Sequence, residues 1–284
     1  MIKRTFEARG IEYASELALQ NVRDLSRIIQ WNHRHGVKLY RMSSDIFPWM
    51  SEYELKDLPD YERISNVLKG AGKMAKMYGQ RITFHPGHFC VIASTNKSVV
   101  NKSIKELNQH AEIMDLMDLP RSPYAAINIH VNTTQGGKEA VLERFRQNFK
   151  LLDAGVQSRL VIENDDKLSQ YAVEDLVDGL YKHIGTPVTF DYHHHWCHPG
   201  SLTQEQALKL AATTWPSDVK QLCHYSSAKC VFEDKSSINR AHADYIYDAI
   251  NDYGLSLDIE LEAKAKAKEQ AWHRYMKQFA YETV

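Results

Sequence analysis

The strongest constraint on the fold is a regular alternation of short apolar runs with longer stretches of helical periodicity. Apolar residues at three- and four-residue spacing, such as Ile64, Leu68 and Ala71, predict amphipathic helices, and the short runs between such stretches predict strands. The alternation continues without a linker or a change in composition, so it predicts one α/β domain over residues 1–284 with a parallel sheet. The seven predicted strands are 37–42, 81–84, 125–129, 160–162, 188–190, 221–223 and 256–261.

The predicted helices account for most of the remaining chain. One helix runs from Leu17 to near Gly36, and a second runs from Ile64 to Gly79. The last helix carries an aromatic stripe, which predicts packing against the exterior of the domain or against a partner. The further predicted helices are 99–117, 138–154, 172–184, 204–212, 238–252 and 264–284.

A domain of this pattern and length is typical of the (β/α)8 barrel of the TIM type. Such a barrel has eight strands, whereas the sequence predicts seven. The missing strand would precede the first helix, where the chain has only a short stretch of residues. We therefore predict a TIM-type barrel whose first strand is absent.

Charge and cysteine content limit the class of protein. There are 35 lysines and arginines against 36 aspartates and glutamates, so a nucleic acid would have to bind through a local groove or bound cations rather than a generally basic surface. The four cysteines form no CxxC pair, which is typical of a reducing compartment. No signal peptide or apolar run of membrane-spanning length is evident. The sequence thus predicts a cytoplasmic protein with no evident membrane or protein partner.

Histidines and carboxylates follow six successive predicted strands. Because the parallel strands of a barrel end at one rim, side chains at these positions are expected to converge there. Nitrogen and carboxylate ligands without cysteine suit Zn²⁺ or Mn²⁺ better than Mg²⁺ or Ca²⁺. Taken alone, each residue would more often cap a strand or bond a loop, so the prediction of a metal centre rests on the whole set. The set is His85, His130, Glu163, Asp191, His224 and Glu262.

The sequence DYHHHWCHPG, at 191–200, adds further histidines. His194 lies three residues after Asp191, with His195 beside it, and His242 is predicted to open the last helix but one. His194 and His242 would together serve a third metal. The two other histidines of this sequence are expected to support the ligands or to be exposed, namely His193 and His198.

Several motifs resemble the ultraviolet damage endonucleases, relatives of apurinic endonuclease IV. They are HPGHF at 85–89, IENDDK at 162–167, DYHHHWCHPG at 191–200, LEAKAKAKE at 261–269 and RMSSDIFPW at 41–49. The resemblance covers essentially the whole chain in order. It implies a DNA repair endonuclease that hydrolyses the phosphodiester 5′ to UV photoproducts and other helix-distorting lesions and leaves a 3′-hydroxyl.

The resemblance also implies that damaged double-stranded DNA is the substrate. It further implies a metal centre with two or three divalent ions. Mn²⁺ is the implied ion, with Zn²⁺ and Mg²⁺ as alternatives. His88 and Phe89, which follow the HPG motif, would insert into DNA at the lesion. Asp45 is implied as a further site residue. The implied metal ligands are His85, His130, Glu163, Asp191, His194, His224, His242 and Glu262. The implied catalytic residues are Glu163, which would bridge two metals, with Asp191, His224 and Glu262.

The sequence departs from the family's pattern at two places. The family's first strand has no counterpart before Thr5. The family commonly carries a modified lysine, which supplies a metal-bridging carboxylate, at the position of Leu222. We therefore expect a third metal to bind weakly or to be absent. Lys220 and Lys229 are the nearby lysines that would have to substitute.

Two other functions fit part of the pattern. A metal-dependent sugar isomerase or epimerase of the same barrel superfamily also places Glu, Asp and His around divalent ions, but with fewer histidines and without the HPG motif. A catalytically impaired barrel that binds damaged DNA would fit the missing strand and Leu222. Metal content per chain separates these alternatives.

Overall fold

The computed structural model describes residues 3–279 and places a strand at every predicted position. Six of the seven strands differ from the predicted limits by one to two residues at an end, and β2 matches its predicted limits. The strands are β1 Leu39–Met42, β2 Arg81–Phe84, β3 Ile127–Ile129, β4 Leu160–Glu163, β5 Val188–Asp191, β6 Gln221–Tyr225 and β7 Leu257–Leu261.

Helices separate the strands. The first helix is kinked at Gly10, whose φ of 69° is a left-handed value that glycine adopts without a side-chain clash. A π-helical turn, Val177–Tyr181, joins α6 to α7. The helices are α1 Lys3–Arg34, α2 Tyr61–Met77, α3 Lys97–Leu116, α4 Lys138–Phe149, α5 Ala154–Gln157, α6 Val173–Leu176, α7 Lys182–Ile184, α8 Tyr192–Cys197, α9 Gln204–Ala212, α10 Lys229–Phe232 and α11 Lys268–Phe279.

The chain divides into two compact units, Met1–Ile162 and Glu163–Val284. In the first unit, β1 pairs with β2, β2 with β3, and β3 with β4, always in parallel. The side chains of Phe84, Ile127 and Ile162 are at most 1% exposed, so these strands lie in an apolar core. The prediction of a single domain over residues 1–284 stays a prediction.

In the second unit, β5 pairs with β6 and β6 with β7, again in parallel. The register sets Asp191 beside His224 and His224 beside Glu260. Residues in register on neighbouring parallel strands point to the same side of a sheet. The pairing therefore brings ionisable side chains together at the carboxyl ends of these strands.

The predicted helix over 238–252 is wrong, because this segment is irregular. Its backbone bonds to other segments: Lys229 N–H donates to Ala241 O, and Ala243 N–H donates to Ser227 O, both at 2.8 Å. A residue whose backbone pairs with another segment cannot also complete a helical turn. His242 consequently lies on an isolated antiparallel bridge, opposite Ala228, and not at the start of a helix.

Four other predicted helices differ markedly from the structure. The first begins at Lys3 and not at Leu17. The predicted helix 138–154 ends at Phe149, and 172–184 is divided by the π-helical turn. The C-terminal helix begins at Lys268 because the backbone N–H groups of Lys264 and Ala265 donate to carbonyls of residues 243 and 244. Its predicted end, at residues 280–284, lies outside the described residues. No helix within residues 3–279 is both long and apolar enough to cross a bilayer.

Candidate metal centre

Glu163, the last residue of β4, places a carboxylate between two histidines. Its Oε1 lies 3.3 Å from His194 Nδ1, and its Oε2 lies 3.1 Å from His224 Nδ1. The Glu163 side chain is only 1% exposed. One carboxylate thus meets two separate imidazoles, as a residue that bridges two metals would require.

Asp191 ends β5 and caps α8, which explains the three-residue spacing to His194. Its Oδ1 accepts a hydrogen bond of 2.8 Å from His194 N–H, so the first turn of α8 brings the imidazole back over the carboxylate. The Asp191 Oδ2 atom is buried and accepts no hydrogen bond. Single ligand atoms of Glu163, Asp191 and His194 all lie within 4.8 Å of one another, as donors to one ion would.

Asn164 holds Asp191 in place through two backbone contacts. Its Oδ1 accepts from Asp191 N–H at 2.8 Å, and its Nδ2 donates to Asp191 O at 3.1 Å. The Asn164 carbonyl oxygen also lies 2.9 Å from His194 Nδ1. The residue after Glu163 therefore fixes the strand end from which Asp191 and His194 project.

Glu262 connects the strand ends to the irregular segment 238–252. Its Oε1 lies 3.6 Å from His224 Nδ1, and its Oε2 lies 3.3 Å from His242 Nδ1. His242 is held in this position by the bridge to Ala228 and by the Ala243 N–H bond to Ser227 O. The second unit thus contains six of the eight predicted ligands in one continuous cluster.

The cluster has an excess of buried negative charge. Burial raises the pKa of the Asp191 carboxyl to about 6, against the lowering effect of His194. Burial disfavours the charged form of His194, but Asp191 and Glu163 outweigh it and raise the pKa of that imidazole to about 10. For His224, too, Glu163 and Glu260 overcome burial and raise the pKa well above its usual value. Buried carboxylates in this number call for a cation, and nitrogen and carboxylate donors without thiolate fit Mn²⁺ or Zn²⁺.

In the first unit, His85 and His130 form an imidazole pair. They follow β2 and β3, and their ring centroids are 5.4 Å apart. The His85 Nδ1 atom lies 3.1 Å from Pro86 O, which fixes the orientation of the ring. The strand-end prediction therefore correctly identified two histidines that are close together.

The other predicted residues of the first unit lie at its surface. The side chain of Phe89 is 80% exposed and packs against His88, with ring centroids 4.0 Å apart. An exposed aromatic side chain of this size is available to a ligand. Asp45 is exposed as well, and its backbone N–H donates to Ser43 Oγ.

Two site residues were missed from the sequence, Asn164 and Glu260. Glu260 Oε2 lies 3.1 Å from His224 Nε2, and Glu260 is only 7% exposed. Two-residue alternation back from Glu262 places Glu260 on the same side of the chain, but the residue that Glu260 meets depends on the register of β6 and β7. For Asn164, the only indication in the sequence was its position next to Glu163.

Several neighbouring residues are buried. His193 and His198 are 3% and 6% exposed, so of the two alternatives expected for them exposure does not hold, and support of the ligands stays a prediction. His195 packs against Phe190 with ring centroids 5.4 Å apart, which is a core contact. Leu222 is fully buried in β6, while Lys220 is exposed, and Lys229 opens α10.

The family model described as UV-endonuclease UvdE matches residues 2–284. The chain belongs to this family. It is 35% identical to the UV-damage endonuclease of Schizosaccharomyces pombe, over 86% of this chain and 41% of the relative. It is 33% identical to the UV DNA damage endonuclease of Bacillus cereus strain G9842, over 80% of this chain and 68% of the relative. The chain thus spans less than half the length of the S. pombe relative.

Solved structures give the fold class of this UvdE-family chain. The crystal structure of SacUVDE is similar with a TM-score of 0.83 and 29% identity, over 99% of this chain and 93% of that one. Endonuclease IV from Thermus thermophilus matches with a TM-score of 0.60 and 14% identity, over 91% and 95%, which shows the fold alone. The fold class is the α/β barrel of the TIM type, with seven strands in the described residues, as predicted.

Proposed function

We propose that this chain is a divalent-metal-dependent DNA repair endonuclease. Its reaction is hydrolysis of the phosphodiester 5′ to UV photoproducts and other helix-distorting lesions in double-stranded DNA, which leaves a 3′-hydroxyl. The observation that carries this proposal is the buried cluster of Glu163, Asp191, His194, His224 and Glu262. Membership of the UvdE family favours damaged DNA as the substrate.

The residues that would hold the metals follow from the contacts in each unit. Glu163 would bridge two ions, since its two oxygens face different histidines. Glu262 has the same geometry between His224 and His242. His85 and His130 are the proposed ligands of the first unit. Bound divalent ions, Mn²⁺ in this proposal, would neutralise the scissile phosphate, lower the pKa of a bound water and stabilise the leaving oxygen.

The protein's own residues hold the carboxylates of this centre in place and away from bulk solvent. Asn164 fixes the backbone of Asp191, and the Asp191 carboxylate fixes the first turn of α8. The carboxylates of Glu163 and Asp191 are at most 1% exposed, so their contacts with cations are not weakened by bulk water. Preorganised ligands need no rearrangement when substrate arrives.

Lesion recognition is assigned to the exposed pair His88 and Phe89. A lesion weakens base stacking, which lowers the cost of opening the duplex. An aromatic and an imidazole side chain provide faces on which bases can stack. Their position at the surface, directly after the HPG motif, supports this role.

Nicking of supercoiled plasmid tests the proposal. Plasmid irradiated with UV light should be converted to the open circle when Mn²⁺ is present, and unirradiated plasmid should not. EDTA should abolish the reaction, and excess Mn²⁺ should restore it. Metal binding and damaged-DNA binding without any nicking would favour the catalytically impaired barrel, and metal-dependent epimerisation of a sugar would favour the isomerase alternative.

A further inference from the structure

Glu260 approaches His224 from the side opposite Glu163. The parallel register of β6 and β7 pairs these two residues directly, and Glu260 Oε2 lies 3.1 Å from His224 Nε2. His224 is fully buried and Glu260 is 7% exposed, so this contact is shielded from solvent. The proposed reaction assigns no role to Glu260.

The two nitrogens of His224 face different groups. Its Nδ1 lies 3.1 Å from Glu163 Oε2 and 3.6 Å from Glu262 Oε1, inside the cluster. Its Nε2 faces Glu260, whose Oε2 lies 3.1 Å away. A neutral imidazole carries one N–H donor and one acceptor nitrogen, and the partner of one nitrogen decides the role of the other.

We propose that Glu260 is a positioning residue that accepts the Nε2–H of His224 and thereby directs the Nδ1 lone pair to the metal centre. The inference rests on the proposed function, because it needs a metal at this cluster. Carboxylates that orient a ligating histidine commonly change metal affinity by about 10- to 100-fold when they are removed. Glu260 acts through His224 and contacts neither metal nor substrate in this proposal.

A purely structural role would have a different signature. If Glu260 only satisfied a buried polar contact, its replacement would lower the melting temperature and leave the affinity of the folded protein for metal unchanged. Glu260→Met tests this, since methionine fills the space without accepting a strong hydrogen bond. Glu260→Gln retains an oxygen that can accept from Nε2–H, so it should retain more affinity than Glu260→Met.

Asp258 provides a matched control. It lies on the same strand, two residues earlier, where the register pairs it with Leu222 instead of His224. Isothermal titration with Mn²⁺ should give an affinity lowered about 10- to 100-fold for Glu260→Met and unchanged for Asp258→Asn. Equal affinity of folded Glu260→Met and the unaltered protein would overturn the proposal.

Nitrogen-15 NMR of the unaltered protein adds a readout that does not depend on any variant folding. In protein loaded with diamagnetic Zn²⁺, His224 should carry its proton on Nε2. A proton on Nδ1 would overturn the assignment. If the unaltered protein binds neither Mn²⁺ nor Zn²⁺, the proposed function fails, whereas metal binding that is indifferent to Glu260 removes this inference alone.

Discussion

The residues at the ends of β4 to β7 and those on irregular segments reach their positions in different ways. Glu163, Asp191 and His224 are set by strand ends, parallel register and burial. His242 belongs to the irregular segment 238–252, which is held by bonds to residues 227–229, and Phe89 is on an exposed loop. Strand ends thus set the positions of Glu163, Asp191 and His224, whereas residues on irregular segments depend on tertiary contacts for theirs.

The largest expected effect comes from substitution of a residue at a strand end. Glu163→Gln removes the charge of the carboxylate that faces both His194 and His224. Nicking of irradiated plasmid should fall by more than about 100-fold, beyond the loss typical of residues that only support a metal ligand. Glu143→Gln, on the exposed face of α4, is the control and should nick normally. A Glu163→Gln protein that nicks at the normal rate would contradict the metal-centre assignment.

The exposed loop should affect recognition more than chemistry. His88→Ala combined with Phe89→Ala removes two stacking groups, at a cost on the order of 2–6 kcal/mol in binding to damaged duplex. Fluorescence anisotropy with irradiated and intact duplexes measures this loss. Retained discrimination between the two duplexes in the double variant would refute the role of the pair.

Substitution of Leu222 tests whether a further ligand on β6 would strengthen metal binding. Leu222→Lys would restore the residue type that the family commonly carries two residues before His224. We expect dialysed protein to retain metal more tightly, because a modified lysine would supply an extra carboxylate. Leu222→Met is the matched control for disturbing a fully buried position. Unchanged metal stoichiometry and Mn²⁺ dependence would show that the position is irrelevant to the site.

The smallest expected effect concerns the anchoring of segment 238–252. Ser227 Oγ accepts a hydrogen bond of 2.9 Å from Tyr247 N–H, and Ser227→Ala removes that acceptor at a cost of about 1 kcal/mol. Amide hydrogen exchange in segment 238–252 should accelerate. The affinity for Mn²⁺ should weaken too, but by less than in Glu163→Gln, which loses a ligand charge. In Ser236→Ala, only the hydrogen bond that Ser236 Oγ donates to Asp234 Oδ1 is lost, so exchange in segment 238–252 should not change. Unaltered exchange in Ser227→Ala would show that the anchor lies elsewhere.

The strands and the ionisable residues at their ends were predictable because they depend on local patterns. Short apolar runs between helical stretches located all seven strands, and the residue after each run gave Glu163, Asp191 and His224. Family membership confirmed the resemblance that the motifs HPGHF and LEAKAKAKE indicated. Local patterns are sufficient to predict a segment when its backbone hydrogen bonds belong to regular helices or strands.

The remaining features depended on tertiary pairing. The segment 238–252 has helical spacing, but its backbone bonds to residues 227–229, and no local pattern indicates that competition. Glu260 contacts His224 only through the register of β6 and β7, which the sequence leaves open. The burial of His193 and His198 likewise depends on which segments cover α8 and the residues that follow it.

Anomalous scattering from crystals grown with Mn²⁺ tests the central claim most directly. Data collected on both sides of the manganese absorption edge should show at least one peak within bonding distance of Glu163, with Asp191, His194 or His224 as further ligands. The peak should be lost or weakened in Glu163→Gln crystals grown in the same way. No peak at these side chains, or a peak that persists unchanged in Glu163→Gln, would contradict the assignment of this cluster as the metal centre.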